Sequence, residues 1–264
     1  MNTRVIFSDL DGTLLDDRSH LSSFTKSELP ETIRNNDLFF SVASGRPPHF
    51  VEKIVSQFDL GENARYHVCY NGGVIFDMIE NQIVSERVFI LEDVRLIIEY
   101  FINRNERVII FTEDKIFTNH SSTALYKTYG ERVENLDLDN FSPHKIYKIN
   151  ASEFERSKLP DEFVQRANFA FYGQRGDMIS AEISPLGVDK GTGLLKICEL
   201  LGVTPSQSLA FGDAANDRQM LKYAGLGVAM ANAEPLAQLA ADEICKLDNH
   251  QDGVAKYIKQ YFCD

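Results

Sequence analysis

The sequence predicts an α/β protein: a parallel sheet covered by helices on both faces, interrupted by an inserted α+β segment. Three observations carry that expectation. Nearly continuous apolar runs, each followed by glycine, stand at residues 4–8, 38–43 and 66–70, the pattern of strands buried on both faces. The same strand and helix rhythm returns from Lys190 to the end of the chain. Between them, the strand-like runs at 107–112, 145–150, 169–173 and 178–184 alternate more and are separated by long polar stretches, which suits an α+β insert. The expected core is therefore 1–83 with 186–264, and the expected insert is 84–185.

Element by element, the reading is local. The run at 4–8 gives way at once to acidic residues and Gly12, and the run at 38–43 ends in Ser44-Gly45-Arg46-Pro47. The third run ends in Asn71-Gly72-Gly73, and the first part of the chain reads strand, helix, strand, helix, strand. Leu194, Ile197, Cys198 and Leu201 share one face of a helix predicted over 190–201, with Gly202 as its stop. A strand over 208–211 follows and ends in Gly212-Asp213. Then come a helix over 216–224, a strand over 226–230, a helix over 234–241, a weak strand over 243–247 and a closing helix over 253–262.

Composition narrows the function. The chain has 264 residues, 44% hydrophobic and 25% charged, and a net charge of −12. Such a surface is not one that neutralises a phosphate backbone, so no nucleic-acid partner is expected. A small phosphorylated partner stays compatible, because one metal ion and a few basic groups can reverse the field locally. No apolar run approaches the roughly 20 residues of a membrane span. The first strand-like run begins at residue 4, which predicts no leader and no membrane association. Cys69, Cys198, Cys245 and Cys263 show neither metal-like nor disulfide-like spacing. They are expected to be reduced thiols of a cytoplasmic protein.

The polar residues gather where an open parallel sheet binds its ligands, beyond the carboxyl ends of strands. Asp9 and Asp11 follow the first strand, Ser44 and Arg46 the second, and Asp213, Asn216 and Asp217 the strand over 208–211. Lys190 opens the helix before that strand. Two carboxylates two positions apart on extended chain repel one another, which a divalent cation or a shared proton relieves. Hard oxygen ligands without His or Cys favour Mg²⁺. Ser44, Gly45 and Lys190 are donors suited to phosphate oxygens. A cation at the start of a helix opposes the helix dipole, which argues for something anionic beside Lys190.

Asp9-Leu10-Asp11-Gly12-Thr13-Leu14, Ser44-Gly45-Arg46, Lys190-Gly191 and Gly212-Asp213-Ala214-Ala215-Asn216-Asp217 resemble, in order, the four motifs of the haloacid dehalogenase superfamily. The insert between the second and third resembles the type IIB cap of its Cof-like phosphatase branch. Asn71-Gly72-Gly73, Gly187-Val188-Asp189-Lys190-Gly191 and Asp252-Gly253-Val254-Ala255 resemble that branch too. The chain departs from its pattern at Ala214, at Ala231 and at His250-Gln251.

The resemblance implies a Rossmann-like core and a phosphatase of small phosphorylated metabolites, acting as a monomer or homodimer. Asp9 would be the nucleophile and Asp11 the general acid and base. Mg²⁺ would be held by Asp9, the Asp11 carbonyl and Asp213, with Asp217 in support. Ser44, Lys190, Asn216 and backbone N–H groups near Leu10 and Gly45 would hold phosphate, and Arg46 and Asn71 would stand on the substrate side. In the insert, His120, Ser121, Ser122, Tyr126 and Arg175 are candidate substrate contacts, each more readily a plain surface residue. Three rivals share parts of this pattern: a phosphotransferase or mutase on the same core, a receiver domain, and a retired metabolite-binding relative. A receiver has no use for the second acid at Asp11.

Overall fold

The computed structural model describes residues 3–142 and 145–263. The chain forms two compact units, residues 1–86 with 189–264, and residues 87–188. They part slightly beyond the expected seams at 84 and 185. On the first side this is because a strand carries the core unit's small antiparallel sheet on to Glu86.

The first unit opens with β1 (Val5–Ser8), α1 (Ser23–Asn35), β2 (Phe39–Val42), α2 (Pro48–Val55), β3 (Tyr66–Cys69), β4 (Val74–Asp77) and β5 (Gln82–Glu86). The second unit comprises α3 (Leu91–Asn103), β6 (Arg107–Thr112), β7 (Ile116–Thr118), α4 (Thr123–Tyr129), β8 (Val133–Asn135), β9 (Ile146–Glu155), β10 (Ala167–Arg175) and β11 (Met178–Pro185). The first unit resumes with α5 (Lys190–Leu201), β12 (Ser208–Gly212), α6 (Arg218–Tyr223), β13 (Leu226–Ala229), α7 (Pro235–Gln238), β14 (Glu243–Ile244) and α8 (Gly253–Cys263).

The main sheet of the first unit is parallel, in the order β14-β13-β12-β1-β2. A bridge from Ala43 to Val68 attaches the antiparallel β3-β4-β5 ribbon beyond β2. Every residue of β1 and β12 is buried, which is why these strands read as unbroken apolar runs. Phe7, Phe40 and Phe211 are fully enclosed, each worth roughly 1.5–3 kcal/mol against exposure. The chain leaves β1 toward β2 on one side, and after the insert it adds β12 on the other side of β1. The carboxyl ends of β1, β2 and β12 therefore lie around the point where the strand order reverses, the place in such sheets where ligands bind.

In the second unit a six-stranded sheet runs β10-β11-β9-β6-β7-β8, antiparallel except for β7 with β8. Helix α3 supplies Val94, Ile97, Ile98 and Phe101 to one apolar cluster with Val108, Ile110, Ile149, Phe154 and Ile183.

Several boundaries differ from the sequence reading. The helix expected over 216–224 starts as a tight turn at Ala215–Asp217, and α6 spans only Arg218–Tyr223. The Asp217 carboxylate folds back on the N–H groups of Asp213 and Ala214, at 3.0 and 2.9 Å, and holds that turn out of helical register. The helix expected over 234–241 shortens to α7. Its end tightens so that the Asp242 N–H can reach the Gly227 carbonyl at 2.8 Å. The strand expected over 145–150 continues to Glu155, with Glu153 at φ 59° and a register shift opposite Ile179 and Ala181.

Candidate active site

The site is assembled from loops that leave β1, β2 and β12 and from the first residue of α5. Asp9 extends the β1 ladder by one residue, its N–H donating to the Phe211 carbonyl at 3.0 Å. This anchors the buried carboxylate at the carboxyl edge of the sheet. Lys190 is 1% exposed and donates to Asp9 Oδ1 at 2.7 Å and to Asp217 Oδ1 at 2.6 Å. It is presented by a well-made helix start: the Asp189 side chain accepts the Thr192 N–H at 2.7 Å, and Thr192 reciprocates. Gly191 follows because a Cβ there would stand 2.7 Å from the Gln219 backbone.

Asp213 follows β12 and accepts the Thr13 hydroxyl at 2.7 Å. The two loops meet so closely that a Cβ on Gly12 (φ +81°) would lie 2.4 Å from Asp213 Oδ2. Ligand oxygens of Asp9, Asp213 and Asp217 lie within 4.8 Å of one another. Asp217 has a further role that the sequence did not show. One of its oxygens holds Lys190 and the other accepts two backbone N–H groups, so it fixes both the ammonium and the Asp213 loop.

Asp11 is placed apart from these three. Its carboxylate is 52% exposed and receives both Nε and Nη2 of Arg46, the Nε bond at 2.7 Å. Arg46, expected on the substrate side, also donates to Ser19 Oγ at 2.9 Å. The pairing follows from the sheet: Ser8 and Val42 are register partners, so the loops after β1 and β2 leave side by side. Ser44 is buried and accepts the Arg46 N–H at 3.2 Å. Asn216 donates to Asn71 Oδ1 at 3.2 Å, which joins a residue expected at the phosphate to one expected beside the substrate.

The family model of haloacid dehalogenase-like hydrolases matches residues 6–258. The chain belongs to that family. Among relatives of this hydrolase, YitU of Bacillus subtilis, named a 5-amino-6-(5-phospho-D-ribitylamino)uracil phosphatase, is 28% identical over 281 residues, covering 98% of this chain and 97% of YitU. A haloacid dehalogenase-like hydrolase from Bacteroides thetaiotaomicron has the same fold, with a TM-score of 0.81, 26% identity, and coverage of 98% of this chain and 100% of that one. The subclass IIB sugar phosphatase BT4131 shares the fold as well, at a TM-score of 0.82 and 20% identity over 98% of this chain and 99% of its own.

The electrostatics of the hydrolase suit a cation. Burial, then the Asp217, Asp213 and Asp11 charges, push the Asp9 carboxyl well above the ordinary range, and Lys190 pulls against them. Asp213 is pushed up to about 6, chiefly by burial and by Asp217. Burial alone would depress the Lys190 ammonium, but Asp217 and Asp9 outweigh it and keep the group charged. One ammonium facing three crowded carboxylates leaves negative charge uncompensated, and the donor set is all oxygen, so a hard divalent cation fits. The anions beside Lys190 are thus the protein's own carboxylates, which explains why a cation is tolerated at the start of α5.

Of the insert residues singled out in the sequence, Ser122 caps α4 by accepting the Leu125 N–H at 3.2 Å, and His120 Nδ1 pairs with Thr118 Oγ1 at 2.9 Å. Both have structural partners of their own. Cys69, Cys198 and Cys245 are buried free thiols, and the Cys263 side chain lies outside the described residues. No helix among the described residues is long and apolar enough to cross a membrane.

Proposed function

We propose that this protein is a cytoplasmic Mg²⁺-dependent phosphatase of a small phosphorylated metabolite, working through an aspartyl-phosphate on Asp9. The observation that carries the reading is the contrast between two acids two positions apart. Asp9 is buried against Lys190 within the acidic trio, while Asp11 is exposed and paired with Arg46. Different environments suit different roles.

Asp9 Oδ attacks phosphorus in line with the ester oxygen, and the bond to that oxygen breaks. Asp11, released from Arg46 and carrying a proton, delivers it to the leaving alcohol. Asp11, now a carboxylate, takes a proton from water, which attacks the same phosphorus and frees Asp9 and inorganic phosphate. Lys190 and Asn216, with Ser44 and backbone N–H groups at Leu10 and Gly45, hold the phosphoryl oxygens. Asp9, Asp213 and the Asp11 carbonyl, with Asp217 in support, would hold Mg²⁺, which supplies charge neutralisation to the phosphoryl group when bound.

The substrate class is a phosphate monoester of a small metabolite: a sugar phosphate, pyridoxal phosphate, or a flavin or nucleotide monophosphate. YitU and BT4131 are named for phosphate esters of hydroxylated carbon chains and sugars, which supports the sugar-like end of that range. The test is phosphate release from a panel of such compounds and from 4-nitrophenyl phosphate, with Mg²⁺ present. At least one metabolite should be hydrolysed well above the aryl ester. No release from any member would sink the reading.

A further inference from the structure

The segment after β13 joins the two acidic loops, and no motif role accounts for it. Its own position is set from below. Met230 N–H donates to the Gly212 carbonyl at 3.0 Å, Ala231 N–H to the Leu247 carbonyl at 3.3 Å, and Ala233 is buried. From this base two side chains reach forward. Asn232 Nδ2 donates to the Gly12 carbonyl at 2.8 Å. Glu234 grips the other loop twice: its N–H donates to the Asp213 carbonyl at 2.7 Å, and its Oε2 accepts the Ala215 N–H at 3.2 Å. Thr13 to Asp213 closes the ring. Gly12 and Asp213 are therefore held in contact both directly and through a third segment.

We propose that Asn232 and Glu234 are positioning residues that fix the separation of the Asp9–Thr13 and Asp213–Asp217 loops, and thereby set the protein's affinity for its divalent cation. The inference rests on the metal site proposed above. Neither residue is a metal ligand. Each acts through a backbone group of a loop that carries ligands, and three carboxylates converge on one ion only if those loops keep their spacing.

The experiment is titration calorimetry of Mg²⁺ into the substrate-free full chain, with the melting temperature in chelator measured alongside. Asn232→Ala and Glu234→Ala are each expected to weaken Mg²⁺ binding by about 3–10-fold, the worth of one net hydrogen bond. The metal-free melting temperature should stay within a few degrees of the parent. Glu234→Gln keeps an acceptor for Ala215 and should recover most of the loss. Asn232→Asp is the decisive variant. It adds negative charge beside the cation, which by field alone would tighten binding, but it removes the donor to Gly12, so the clamp requires weaker binding. Asn232→Ser is a second donor-shortened variant should Asn232→Ala fold poorly, and it too should bind Mg²⁺ more weakly than the parent. Variants that bind as tightly as the parent, or an Asn232→Asp that binds more tightly, would overturn the clamp while leaving the metal site standing. A parent that binds no Mg²⁺ would overturn the metal site and the clamp with it.

Discussion

At the scale of residues, Asp9 and Asp11 ask to be separated by experiment. Asp9→Asn removes the proposed nucleophile, so no phosphoenzyme should form and turnover should fall to background. Asp11→Asn leaves Asp9 and Lys190 in place and removes the proposed acid–base help, worth about 10²–10⁴-fold. With a good aryl leaving group it should give a burst near one equivalent and then stall, leaving a hydroxylamine-labile phosphate on the protein. Equal steady rates for the parent and Asp9→Asn would eliminate the covalent mechanism. A second residue-scale prediction concerns His67, fully buried, its Nδ1 accepting the Val42 N–H at 3.0 Å and its Nε2 donating to the Ala64 carbonyl at 2.9 Å. Burial outweighs the Ala64 bond and lowers its pKa from 6.5 to about 4. The unfolded chain therefore takes up a proton before the folded one. This contribution to stability is complete above pH 6.5, falls by about 2 kcal/mol by pH 5, and levels off below pH 4. Asp213, raised to about 6, works in the opposite direction on acidification, so the deciding measurement is the His67 ring itself. Its NMR shifts should stay flat from pH 7.5 to 5, and a midpoint near 6.5 would contradict the account.

At the scale of elements, α5 was the most legible. The predicted span over 190–201 matches Lys190–Leu201, and Gly202 ends it at φ +66°. Its apolar spacing and its stop agree, which is what makes a helix readable from local sequence, and the structure adds the Asp189 cap. The same helix start delivers the Lys190 ammonium to Asp9 and Asp217, so its cap has two consequences. Asp189→Ala should cost about 1 kcal/mol of stability, read as a shift in the urea midpoint, and should also lower kcat by letting Lys190 drift from Asp9. A stability loss with kcat unchanged would show that the carboxylates alone hold Lys190. By contrast, the helix expected over 216–224 begins as a 3₁₀ turn and the one expected over 234–241 is shortened to Pro235–Gln238, because side-chain and tertiary bonds shape their ends. Asp217 turns back to serve Asp213, Ala214 and Lys190, and Asp242 must reach Gly227. Propensity cannot see either demand.

At the scale of the whole molecule, the proposed cation and the fold should be linked. A cation that binds the folded trio and not the unfolded chain stabilises the fold by about 2.7 kcal/mol at a hundred times its Kd. Mg²⁺ should therefore raise the melting temperature as well as restore activity after chelation. Ca²⁺, larger and less strictly octahedral, should bind and inhibit. Full activity in excess chelator, with no thermal shift on adding Mg²⁺, would exclude the metal. The sequence by itself determined the parallel-sheet core, the residues at its strand ends and the family they resemble. Those features are written in apolar runs, glycines and short motifs, each confined to a few neighbouring positions. Only the tertiary structure decided what each polar group touches: that Lys190 pairs with Asp9 and Asp217, that Arg46 pairs with Asp11, that Asn216 meets Asn71, and that Asn232 ties Gly12 to the segment that grips the Asp213 loop. The physical reason is range. A strand or a helix start is fixed by residues a turn or two away, whereas an ion pair or a tether is fixed by which strand ends the sheet brings side by side, and that depends on the order β12-β1-β2.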